Sequence, residues 1–73
     1  MKRDRLLIDL AQVDRHIERG EENVIRQRQI VARLIKNGRP ELAREAAELL
    51  EKFKTLQDRH LDHRKRLLEE LGK

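Results

Sequence analysis

The stretch Asn37-Gly38-Arg39-Pro40 divides a 73-residue chain into two long amphipathic segments. Glycine readily takes the left-handed conformation that ends a helix, and proline suits the first turn of the next helix, where its missing N–H costs nothing. A reversal this short makes the two flanking helices antiparallel neighbours. The predicted fold is all-α: a single antiparallel two-helix hairpin (αα-hairpin) over residues 1–73, with helices near 4 to 36 and 40 to 71 and the turn at 37 to 40. Folding the chain there pairs positions whose numbers sum to about 77.

Upstream of the turn, Leu6, Leu10, Val13, Ile17, Gly20, Val24 and Val31 recur in steps of four and three, interrupted at Gln27 and closed by Leu34 and Ile35. That spacing draws one stripe along a helix. Downstream, Leu42, Ala46, Leu49, Phe53, Leu56, His60, His63 and Leu67 draw the facing stripe. Leu10, Val13, Ile17, Val24, Val31, Leu49, Phe53, Leu56 and Leu67 are expected to carry the core. Leu7, Ile25 and Ala32 flank the first stripe, and Ala43, Ala47, Leu50, Leu61 and Leu68 flank the second, so each apolar face is wider than one neighbour covers. Leaving Leu7, Ile25, Leu50, Leu61 and Leu68 in water would expose an apolar patch. Two hairpins paired about a twofold axis into a four-helix bundle would bury it, and a homodimer is the expected assembly. A helix of a different protein could cover the same face.

Composition agrees with this reading. Charged residues make up 44% of the chain and aromatics 1%, the mixture typical of long helices and coiled coils, and helical periodicity argues against disorder. A chain this short buries a small fraction of its surface and commonly needs disulfides, a metal or oligomerisation; without cysteine, disulfides are excluded. The longest apolar runs, Leu6-Leu7-Ile8 and Ile30-Val31-Ala32, fall far short of the roughly 20 residues that span a bilayer. Asp9 and Gln12 interrupt the basic start, so no cleavable signal is expected and the cytoplasm is the predicted compartment. Glycines 20, 38 and 72 are isolated, Thr55 carries the only side-chain hydroxyl, and there is no Ser, Cys or Tyr nucleophile. No catalytic residue, cofactor site or enzymatic activity is predicted.

Two clusters remain. His60 and His63 share a helix face at a spacing of three, and the chain reversal brings His16 beside them. The trio reads first as a polar layer that fixes helix register, and second as a candidate transition-metal site. The reversal also gathers Lys2, Arg3, Arg5, Arg64, Lys65, Arg66 and Lys73 at the open end of the hairpin. With 18 Lys and Arg against 14 Asp and Glu, a net charge of +4, this end is the sequence's candidate surface for structured RNA or DNA. The predicted function is a homodimeric protein-interaction or regulatory module, with nucleic-acid binding as the alternative.

The segments His16-Ile17-Glu18-Arg19-Gly20-Glu21, Arg26-Gln27-Arg28-Gln29-Ile30-Val31-Ala32-Arg33-Leu34 and Leu56 through Leu71 resemble short, uncharacterised helical-hairpin proteins of alphaproteobacteria. That resemblance, over about residues 14 to 71, implies a bacterial cytoplasmic hairpin and carries no mechanism. The predicted dimer also looks like the plasmid copy-number regulator Rop in architecture, a dimer of hairpins that binds paired RNA loops, with no shared sequence motif.

Overall fold

Strong helix formers and the lack of any proline before position 40 let the first segment run uninterrupted. In the computed structural model, which describes residues 1–73, it forms helix α1 (Lys2–Lys36), and the second segment forms α2 (Pro40–Leu71). The two pack side by side and antiparallel into a rod with Cα extents of 55 × 14 × 13 Å. Neither is long and apolar enough to cross a membrane.

The turn is closed by hydrogen bonds. Gly38 sits at φ 70°; its N–H donates to the Ile35 carbonyl at 3.1 Å, and the Arg39 N–H donates to the Leu34 carbonyl at 2.9 Å. These paired bonds satisfy carbonyls that the end of a helix leaves open, in the pattern of a Schellman motif. Pro40 then opens α2, with Glu41 in its first turn.

Between the helices, α1 contributes Leu6, Leu10, Val13, Ile17, Gly20, Val24, Gln27, Val31 and Leu34, spaced by four and three without a break. Helix α2 contributes Ala43, Ala46, Leu50, Phe53, Gln57, His60, Arg64, Leu67 and Leu71. Val13, Gln27, Ala43 and Leu67 are the four buried residues; the rest of the seam is half-buried. Relative to the expected facing stripe, the seam on α2 runs one residue further along at four places: Ala43, Leu50, Gln57 and Arg64 take the positions expected for Leu42, Leu49, Leu56 and His63. Hydrogen bonding explains why polar residues are admitted. The Gln27 side-chain amide donates to the Ala46 carbonyl at 2.9 Å, and the Gln57 amide donates to the Ile17 carbonyl at 2.7 Å. Each carbonyl oxygen has a second lone pair beyond the one used in its helix. Arg64 reaches back to Asp14 at 2.7 Å.

Two helices leave much surface open. The hairpin exposes 6075 Å², whereas an average globular protein of its mass exposes about 4,800 Å².

Candidate functional site

Three arrangements are candidates: the histidine layer, the open end, and the apolar surface outside the seam.

The reversal brings His16 and His60 together as expected. Their rings stack with centroids 5.1 Å apart and planes inclined by 11°. His63 lies outside the seam, where it lines an open groove with His16, His60, Asp9 and Gln12. Imidazole binds a metal through a lone pair in the plane of the ring, at roughly 2.0 to 2.1 Å. Nearly parallel stacked rings direct those lone pairs alongside one another and do not converge on one ion. No group of three or more His, Cys, Asp or Glu side chains is placed to hold a metal.

Next to this layer, the most enclosed recess of the surface measures about 170 Å³ and is bordered by Arg19, Gly20, Asn23, Phe53, Leu56 and the two stacked histidines. Small-molecule pockets usually measure about 300 to 1,000 Å³. Gly20 and Gln57 form part of the wall of the recess, and a Cβ at Gly20 would overlap the amide oxygen of Gln57. That oxygen is buried without a hydrogen-bond partner. The glycine hydrogen that replaces the Cβ points at it, a weak Cα–H···O contact.

At the open end the expected cations do gather, and four of the seven pair with three carboxylates. Lys2 and Lys73 both approach Glu70, at 3.8 and 3.3 Å, Arg5 meets Asp9 at 3.4 Å, and Arg64 meets Asp14. Arg3 donates to the Leu71 carbonyl at 3.4 Å, near the negative end of the α2 dipole. Lys65 and Arg66 are left without an ion-pair partner. Exposed pairs of this kind contribute little stability, yet they lower the positive potential that a phosphate would meet.

The third arrangement is apolar. Leu10, Val13, Ile17, Val24, Val31, Leu50, Phe53 and Leu67 lie in the seam, whereas Ile25, Leu49, Leu56, Leu61 and Leu68 are exposed. Leu49 and Leu56 thus stand outside the core expected for them within one hairpin. With Leu42 they form a ridge at intervals of seven residues, exposed by 46%, 42% and 49% along residues 42, 49 and 56. Each immediately precedes a seam residue of α2, so all three project to the same side of the hairpin. Leu7, Leu61 and Leu68 form a second patch on the other side, toward the open end. Sequence reasoning missed the seam positions of Gln27 and Gln57. Carrying the four-and-three spacing through polar residues, instead of stopping at them, finds Gln27; on α2 that spacing fits a set through Leu56 and a set through Gln57 equally well.

Compared with known protein families, curated proteins and solved structures, the chain matches none.

Proposed function

We propose that the chain is a non-enzymatic protein-interaction or regulatory module that acts as a homodimer, two hairpins meeting through the α2 ridge to build a four-helix bundle. The exposed, seven-residue spacing of Leu42, Leu49 and Leu56 carries this reading. A leucine at every seventh residue supplies one of the two positions per heptad through which helices interlock.

Two observations favour a second copy as the occupant. The hairpin's excess exposure over an average globular protein is about 1,300 Å², more than the roughly 800 Å² that each partner of a standard interface buries. Antiparallel pairing of α2 with its copy about Leu49 also lays Leu42 of one protomer against Leu56 of the other. The same pairing sets Glu45 beside Lys52 twice, joining opposite charges along the ridge. A bacterial cytoplasmic setting belongs to this proposal, resting on the cysteine-free composition and the resemblance read from the sequence.

Sedimentation equilibrium of the untagged protein over a wide concentration range tests it. The expected mass is that of two chains, persisting on dilution, with Leu49→Lys shifting the population to monomer while the helical signal of the hairpin remains. A parent protein that stays monomeric would overturn self-association and leave the ridge to a different helical partner.

A further inference from the structure

The turn end carries exposed cations without ion-pair partners, most of which the helix dipoles do not account for. From Asn23 to Pro40 there is no carboxylate, while Arg26, Arg28, Arg33, Lys36 and Arg39 fall within that stretch and Arg44 follows closely. In the antiparallel hairpin Arg26 to Arg33 lie level with about residues 44–51 of α2, so the six cations share this end with Glu41, Glu45, Glu48 and Glu51, a net charge of +2 over residues 26–51. All six are exposed, and none takes part in an ion pair.

Their placement follows from the seam. Gln27 points at α2, so Arg26 and Arg28, one residue before and after it, project to opposite sides of the hairpin. Arg33 shares the Arg26 side two turns further on, a rise of roughly 10 Å. Ala43 is buried, so Arg44 projects to the Arg28 side. Lys36 and Arg39 flank the tip. Arg33 and Lys36 suit the negative end of the α1 dipole. The other four gain nothing there: Arg26 and Arg28 lie more than a turn too early, and Arg39 and Arg44 stand at the positive end of α2. That end also has no side-chain cap, so its first backbone N–H groups face the same pole.

We propose that the turn end of the hairpin binds the sugar-phosphate backbone of double-helical nucleic acid, astride the phosphates that border a groove. Five of the six cations are arginine, whose planar guanidinium can engage a phosphate through two hydrogen bonds. Cations on two sides and at the tip suit a ridged polyanion, whereas a flat anionic membrane would meet one side only. Phe53, the sole aromatic residue, lies in the seam, so no platform exists for stacking unpaired bases. Recognition is therefore of shape and phosphate. This site lies opposite the open-end cations that the sequence first indicates; Arg26 and Arg33 share the side of the Leu42–Leu49–Leu56 ridge and border any contact made there, while Arg28 and Arg44 lie on the opposite side.

The test is fluorescence anisotropy of a labelled 20-base-pair RNA duplex, and of its DNA counterpart, across a salt series. With six phosphate contacts the logarithm of the association constant falls against the logarithm of salt with a slope of about −5. Two sets of four substitutions remove equal charge from opposite ends. Changing Arg26, Arg28, Arg33 and Arg44 to Gln should weaken binding by more than about tenfold and reduce the slope to about −2. Changing Lys2, Arg3, Lys65 and Arg66 to Gln should leave affinity within about threefold. The RNA and DNA arms identify which helix is preferred. Circular dichroism verifies helix content, and replacing the same four arginines with lysine, which preserves charge, should preserve the slope. Equal losses in both glutamine sets, no binding to either duplex at low salt, a collapsed slope in the lysine set, or preferential binding to phosphatidylserine vesicles would each overturn the proposal.

Discussion

Gly20 and Gln57 form a coupled pair. Glycine inside a helix costs about 1 kcal/mol relative to alanine, and here the space it leaves admits the Gln57 amide to the Ile17 carbonyl. Because that amide ends a flexible side chain, an added methyl group would displace it and sacrifice a hydrogen bond worth about 1 kcal/mol. Gly20→Ala alone should therefore change the stability measured by urea unfolding by less than about 1 kcal/mol, its two effects opposing. On a Gln57→Ala background, the same change should stabilise by about 1 kcal/mol. Equal effects in both backgrounds would show that the two residues are uncoupled. The pairing of positions that sum to about 77 puts Gly20 level with Leu56 and Gln57. Which neighbour enters could not be read, because choosing glutamine over leucine depends on a backbone acceptor that is visible only once the helices are docked.

At the scale of elements, the turn was the most legible part of the chain. Gly38 and Pro40 have separate local reasons to sit where they do, so their reading needs no knowledge of packing. The φ of 70° at Gly38 makes the glycine requirement one of backbone conformation, since a Cβ there would meet nothing within 4 Å. Gly38→Ala should cost about 1 kcal/mol in urea unfolding, from the left-handed conformation alone. Asparagine, which tolerates that conformation better, should recover part of the loss. The seam of α2 was less legible because that helix is apolar on adjoining faces. Leu42, Leu49 and Leu56 compete with Ala43, Leu50 and Gln57 for the inner position, and hydrophobicity favours the wrong set. Helix α1 decides the matter by supplying the Ile17 carbonyl to Gln57 and the Asp14 carboxylate to Arg64.

For the whole molecule, only four residues are buried, so the hairpin has little core from which to derive stability. If the proposed dimer supplies the remainder, unfolding is linked to association and the thermal midpoint must rise with protein concentration. A rise of roughly 3 to 5 °C per tenfold increase is expected for a dimer of this size. A midpoint independent of concentration would mean that each hairpin unfolds on its own. Charge was legible in total and misleading in distribution. The open end attracts notice because chain ends meet there, but its carboxylates become compensating partners only after folding. The stretch without carboxylates before Pro40 was readable by counting and was hidden by the near balance of the complete chain. Pro40 also bears on how two copies can exchange parts. A hairpin whose turn straightened would become one continuous helix of about 105 Å, able to trade halves with a neighbour in a domain-swapped dimer. The ring of Pro40 would collide with the Lys36 carbonyl in such a helix, at a cost of roughly 3 kcal/mol or more. The residue that opens α2 therefore also disfavours the straightened chain that such an exchange would use.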